Sequence, residues 1–216
     1  MQTSRVISGF FLTMILLACL SSTGCVGALA QLFYVIKGHQ VPAQYSGFEG
    51  KKVAVVINTD ASSYGPDSLS KTFGKYVRLK LATNIEDIEI VPELEIKNWI
   101  DINGYDESKL AKLGKSVEAD FVLAIDVDNY TIRDGKTIYK GQSDITLSVI
   151  ESESGDVTYS FGPENMVYPE NGRPAIQTTD RKFEMFYLTW LTRQISRQFY
   201  KHDKLDEVAD DAAFAG

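Results

Sequence analysis

The places in this sequence where chemistry could reside are few: two histidines, two cysteines and short groups of acids. His39 falls in a stretch containing Gly and Pro, and His202 ends a helical pattern. Neither sits in a strand-end loop beside a Ser or Cys nucleophile that would need it as a base, so both read as solvated. Asp126-Val127-Asp128-Asn129 puts two acids on one face of a strand. No Gly follows them, and a strand is the wrong context for an EF-hand calcium loop, so they read as outward polar positions. Asp60, Ser62, Ser63, Tyr64 and Asp67 cluster after the first strand, where open α/β sheets place ligand sites. Without a Gly-rich fingerprint, phosphate is not the expected ligand. No catalytic residue, cofactor or metal is expected.

Cys19 and Cys25 both lie near the start, and no cysteine follows Cys25. That excludes a disulfide framework, a Cys-based metal site or a thiol nucleophile from the folded part. Ahead of them, Met1 to Arg5 is a short polar start with one positive charge, and an apolar run from Val6 to Leu20 follows. This is the n-region and h-region of a signal peptide. Ser21-Ser22-Thr23-Gly24 then supplies a polar break with small residues before Cys25. The stretch resembles a bacterial lipoprotein leader, in which a small residue precedes a cysteine that is lipidated and becomes the new N-terminus. Leu16-Leu17-Ala18-Cys19 fits the residue pattern of such a junction better. Cys25 lies where the cleavage region belongs, so it is the expected site and Cys19 the alternative. An uncleaved anchor competes, because no charge occurs from Val6 to Ile36 and about 20 apolar residues span a bilayer.

The elements that must carry any site follow from periodicity. The chain of 216 residues has a net charge of -7, which argues against a nucleic-acid surface. Residues 1–24 read as signal peptide and 25–50 as a lipidated N-terminus, an apolar helical stretch (Val26 to Ile36) and a linker from Gly38. Residues 51–202 read as one domain and 203–216 as an acidic, disordered tail. Val53-Ala54-Val55-Val56-Ile57 is a strand buried on both faces. Leu69, Phe73, Val77 and Leu81 mark a helix, Ile88 to Val91 a short strand, and Leu94, Ile96, Trp99 and Ile100 a second helix. Asp106 reads as the N-cap of a third, with Leu110, Leu113 and Val117 on its buried side. The period then changes to two from Phe121 to Asp128. Asp134-Gly135 signals a hairpin, a strand passes through Ile145 to Val149, and a shorter one runs from Val157 to Phe161. Gly162 to Ala175 reads as a loop. A final helix spans Asp180 to His202, with Phe183, Tyr187, Leu191, Ile195 and Phe199 inward and Thr179 or Asp180 as cap. The expected fold is mixed α/β: one layered domain, a mixed sheet with a right-handed β–α–β unit, an antiparallel three-stranded meander and a C-terminal packing helix.

Lys51-Lys52-Val53-Ala54-Val55-Val56, Ile88-Glu89-Ile90-Val91-Pro92, Leu113-Gly114-Lys115-Ser116-Val117-Glu118-Ala119-Asp120-Phe121-Val122-Leu123-Ala124 and the turn Glu153-Ser154-Gly155-Asp156 resemble one group of periplasmic α/β domains. The group comprises the curli-secretion lipoprotein, the lipoproteins that activate penicillin-binding proteins, and the amino-terminal domain of TolB. The resemblance covers about Lys51 to His202 and implies no catalytic residue. The chain offers no long alternating hairpin for a secretion pore.

The expected function is therefore a non-enzymatic lipoprotein of the cell envelope that docks a protein partner, in envelope assembly or secretion. Its partners would be the membrane, through the lipid, and an unidentified envelope protein. The alternative is an envelope hydrolase or ligand-binding protein using Asp60 and Asp67. The expected partner contacts are Met166, Val167, Tyr168 and Arg173, since aromatics, Met and Arg are enriched in interfaces, with the Val26 to Ile36 segment as second choice. Intact-mass spectrometry checks the leader: the mature protein is expected to start at Cys25 and carry acyl mass on it. A mass that retains Met1 to Gly24 contradicts this, and acyl mass on Cys19 moves the site.

Overall fold

Val53, Ala54, Val55 and Val56 are all 0–1% exposed, although successive side chains of a strand point to opposite faces. Such a strand needs a layer on each side. In the computed structural model, which describes residues 40–59, 68–169 and 178–203, it has both. The chain divides into two units. One of them, Met1–Val41 with Asp203–Gly216, has only Gln40, Val41 and Asp203 among the described residues. The other, Pro42–His202, is the domain.

Its elements are β1 (Lys52–Thr59), α1 (Ser68–Asn84), β2 (Glu89–Ile90), α2 (Glu93–Asn103), a 3₁₀ turn (Glu107–Lys109) leading into α3 (Leu110–Ser116), β3 (Phe121–Asp134), β4 (Ile138–Glu151), β5 (Val157–Tyr168) and α4 (Asp180–Ser196). The sheet order is β2-β1-β3-β4-β5. β1 runs parallel to β2 and β3, and β3, β4 and β5 form an antiparallel meander. This is the mixed α/β architecture that the sequence implies.

Odd-numbered positions of β1 and β3 face an inner layer. There Val53, Val55, Leu123, Ile125 and Val127 pack with Phe73, Val77 and Leu81 of α1 and with Phe183, Tyr187, Leu191 and Ile195 of α4. Even-numbered positions face an outer layer, where Ala54, Val56, Val122 and Ala124 pack with Ile96 of α2 and Leu110 and Leu113 of α3. Asp106 caps the 3₁₀ turn by accepting from the Ser108 amide at 3.0 Å, and Thr179 caps α4 by accepting from the Lys182 amide at 3.4 Å.

Three expectations are corrected. First, Gly162 to Tyr168 is strand, not loop: Asn165, Met166 and Val167 pair with Asp144, Ser143 and Gln142. A Pro usually demotes a strand to an edge or a bulge, and here it does both. The register shifts between Ile145 and Leu147, and Gly162 (φ 92°) is needed because a Cβ there would lie 2.2 Å from the Ile145 carbonyl oxygen. The pairing resumes beyond Pro163, so the meander is longer than its sequence pattern suggests, with β3 and β4 at 14 residues each. Second, α4 stops at Ser196 rather than His202. The Gln198 carbonyl accepts from the Gln44 and Tyr45 amides, both at 2.9 Å, and so ties down the incoming chain. Third, the segment expected as linker therefore belongs partly to the core: Phe48 is 0% exposed and stacks on Phe199 at 5.0 Å between ring centroids.

α4 is seated by aromatic contacts. Tyr187 stacks on Tyr130 at 5.6 Å and on Trp190 at 6.0 Å. Its hydroxyl is satisfied in the core by Ser143 Oγ at 2.7 Å and by donation to the Met166 carbonyl at 2.9 Å. The ring lies flat over Gly141, where a Cβ would stand 2.4 Å from ring carbons. Gly141→Ala is therefore expected to cost about 1–3 kcal/mol as an overpacked core site, read as a lowered urea midpoint. An unchanged midpoint would show that the ring can move aside.

Candidate functional site

Three parts of the sheet are closed to a partner. At one edge, β2 has only two residues and runs into Pro92, leaving little ladder to extend. At the other, β5 is broken by the Gly162–Pro163 bulge, and Glu164, paired opposite Ile145, is an exposed charge on the strand. Bulges, Pro and charges of this kind block edge-to-edge pairing. The inner face is filled by α1 and α4.

The outer face is covered only in part. α2 and α3 pack over Ala54, Val56, Val122, Ala124 and Ile150, and the aliphatic character ends there. The next positions outward are Asn58 on β1 and Asp126 and Asp128 on β3. Across the meander the register sets Asp126 opposite Thr146, Asp128 opposite Asp144, Asp144 opposite Asn165, and Gln142 opposite Val167. Residues opposite one another in an antiparallel pair share a face, so these side chains form one surface, polar except for Val167.

Amide–carboxylate hydrogen bonds knit that surface. Asn58 Nδ2 donates to Asp126 Oδ1 at 2.8 Å, and the Tyr105 hydroxyl donates to the same oxygen at 3.1 Å. Burial, then the Asp126 charge, pushes the Tyr105 pKa up, so the phenol stays a donor. Two acids directly opposite, Asp128 and Asp144, would repel. Asn129 (φ 53°) sits where the register shifts. Its Nδ2 donates to Asp144 Oδ2 at 2.7 Å, while Asn165 Nδ2 donates to Asp144 Oδ1 at 2.6 Å. Those bonds, from Asn165 first and Asn129 second, hold the Asp144 carboxyl below the usual carboxylate range. A carboxylate with both oxygens engaged and a lowered pKa is a poor proton carrier at neutral pH and a good fixed charge.

The partner contacts expected from sequence are split by strand alternation. Tyr168 points to the inner face, 5.6 Å from Trp190 and 6.0 Å from Phe183 between ring centroids, and Met166 packs on the same core. Val167 lies between them on the outer face, half-buried. Arg173, Asp60, Asp67, Cys19, Cys25 and the Val26 to Ile36 segment lie outside the described residues. Asp126 and Asp128 share a face, as their spacing implies. The roles of Asn58, Tyr105, Asp144 and Asn165 escaped the sequence reading. The alternation Asp144, Thr146, Ser148 was a visible signal, but placing it needs the register.

His202 is half-buried, with Nδ1 3.3 Å from the Tyr200 carbonyl oxygen. Among the described residues, no three His, Cys, Asp or Glu are placed to hold a metal ion, and no helix is long and apolar enough to cross a membrane. A depression of about 410 Å³ opens at the opposite end of the strands. Its charges are partly paired, Lys51 with Asp120 and Lys115 with Glu153, both at 3.8 Å.

No family model and no curated protein matches this chain. Among solved structures it is similar to the PelC dodecamer from Paraburkholderia phytofirmans, at 15% identity and a TM-score of 0.46 over 74% of this chain and 95% of that one. It is similar to the lipoprotein GNA1162 from Neisseria meningitidis at 15% identity, TM-score 0.43, over 67% and 97%. The LpoB C-terminal domain from Salmonella enterica matches at 14% identity, TM-score 0.39, over 57% and 87%.

The Asp144 bonds carry a pH signature. A folded-state pKa below the unfolded value of about 3.9 adds stability that is fully present above that value and is lost as pH falls through the folded pKa. Asp144→Asn should therefore melt below the parent at pH 7, and the gap should close as the pH is taken below about 4. A gap that stays constant with pH would mean that the carboxylate charge contributes nothing to these bonds.

Proposed function

We propose that this protein is a lipid-anchored lipoprotein of the cell envelope that docks a protein partner, in envelope assembly or secretion, and that it is not an enzyme. The observation that carries the docking reading is the outer sheet face, where the Asp144 carboxylate is committed at both oxygens to Asn129 and Asn165. Acids held in this way present fixed charge for recognition rather than a proton for transfer. The anchor reading is supported by Arg5, the apolar run after it and the Gly24-Cys25 junction. More than one acyl chain on the new terminus holds a protein stably on a bilayer. The expected contacts include Val167 on the outer face, together with Arg173.

Two measurements test the reading. In membrane flotation, the parent should travel with the lipid fraction and Cys25→Ser should stay at the bottom of the gradient. Formaldehyde cross-linking in cells, followed by purification of the tagged chain, should then yield a discrete heteromeric species in the parent that weakens in Cys25→Ser. A parent that does not float, or that purifies without a protein partner, contradicts the corresponding half of the proposal.

A further inference from the structure

Among the described residues, the outer layer of the domain covers only part of the sheet. α2 and α3 occupy it over β1 and the first half of β3, and no described element lies over the distal halves of β3, β4 and β5. Asp128 and Asn165 are exposed there, Asp126, Gln142, Thr146 and Val167 are half-exposed, and Ser160 is exposed nearer the start of β5, opposite Ser148. Strands lie about 4.8 Å apart and rise about 3.4 Å per residue. Three strands over roughly six residues give a strip about 10 Å by 20 Å, close to the 10–12 Å diameter of a helix with its side chains. The strip is too small for a whole domain interface, which takes about 800 Å² per partner.

Its chemistry selects the occupant. Asp126, Asp128 and Asp144 are acidic. Lys140 shares this face of β4, but its ammonium is turned to Asp134 at 3.6 Å. Thr146 and Gln142, both half-exposed, offer polar contacts, and Val167 with the rim residue Ile138, 44% exposed, offers small apolar ones. A greasy strip would call for an apolar helix. This one matches a segment whose cations meet carboxylates already oriented by Asn58, Asn129 and Asn165. Preoriented charge raises specificity and association rate more than raw affinity.

We propose that the distal outer face of β3–β5, which no described element covers, is a docking trough for a lysine- and arginine-bearing segment of an envelope protein, about one helix wide, lying beside α2 and α3 in the same layer. The proposal rests on the docking function above and adds where the partner sits and what its chemistry is.

Photo-cross-linking in cells tests it. A benzophenone amino acid is placed at Thr146 or Val167 in the trough, and at the exposed Leu79 of α1 or Met185 of α4 as controls, in the full chain. The adducts are mapped by mass spectrometry. The expected result is an adduct from Thr146 and Val167 to a different protein, at a peptide with net positive charge. Adding Gln142→Lys with Ser160→Lys to the Thr146 probe should cut its yield by about tenfold or more, because like charges are then opposed across the contact. Neither residue belongs to the amide–carboxylate bonds, and an unchanged melting temperature confirms the fold. If the pair melts early, Gln142→Glu should leave the adduct intact, and its loss would overturn the proposal. An adduct to a second copy of the chain, to a neutral or acidic peptide, or one indifferent to the added lysines also overturns it. Adducts from Leu79 or Met185 alone would move the partner to the helical layer and leave the docking function standing. No protein adduct from any position would remove both.

Discussion

Burial of β1 on both faces is the constraint from which the rest of the domain follows. Val53 and Val55 require cover on one side, Ala54 and Val56 on the other. Each fully buried Val contributes roughly 1.5–3 kcal/mol relative to exposure. The two layers differ in kind. Toward α1 and α4 the core is wide and aromatic, with Phe73, Phe183 and Tyr187 fully buried. Toward α2 and α3 it is narrow and aliphatic, built on Ala54, Ala124, Leu110 and Leu113. Ala at the sheet positions lets the short α3 approach closely. Gly114 extends this, since a Cβ there would lie 2.1 Å from Ser152 Oγ. Among the described residues, the outer layer is close-fitting over the centre of the sheet and does not reach beyond it.

The inner layer extends over the whole meander because α4 is held along its length. Near its start, the Asp180 carboxylate pairs with the Arg133 guanidinium, which also lies 4.4 Å over the Tyr139 ring. At its middle, Tyr187 stacks between aromatic neighbours and bonds to β4 and β5 through Ser143 and the Met166 carbonyl. After its end, Gln198 and Phe199 hold the segment that leads into β1. Asp180 and Arg133 are surface groups, so their attraction is screened by salt and acts more as a positional link than as a large stabilising term. Tyr187 is different. Its hydroxyl is buried with partners on two strands, and losing either partner would leave an unsatisfied polar group in the core.

Most of this plan was legible in the chain. The continuous apolar run at Val53 to Ile57, the switch of period at Phe121 and the stripes of α1 and α4 each encode burial directly, and burial fixes the elements. What the sequence hid was local competition. Pro163 argues against a strand, and only the edge position and the bulge around Gly162 reconcile it with β5. His202 continues the pattern of α4, but the Gln198 carbonyl finds amide partners from Gln44 and Tyr45 and the helix ends. Phe48 sits among Gly47, Gly50 and Pro42, which read as linker, and its burial comes from contacts with Phe121 and Phe199 far along the chain. The polar face was half visible. Asp126 and Asp128 could be put on one side of β3, whereas Asp144 and Asn165 join them only through register, and the shift beside Asn129 makes that register unreadable from turn length alone.

That shift also explains why an acidic face is compatible with a stable sheet. Without it, Asp128 and Asp144 would confront each other with no donor near, and two ionised carboxylates across a ladder destabilise it. The left-handed backbone at Asn129 brings an amide to Asp144 from the β3 side, and Asn165 brings another from β5. Asp126 is served in the same way by Asn58 and Tyr105. Asp126 and Asp144 are thus oriented by amide and hydroxyl donors and partly solvated, and neither is buried deeply enough to demand a counter-ion. A face of this kind adds little to folding, since it removes scarcely any apolar area from water, and its removal would leave both cores intact. What the amides maintain is a set of carboxylates at fixed spacing on a rigid sheet: they offset the repulsion the acids would otherwise impose on the ladder and leave those acids oriented toward the outside of the domain.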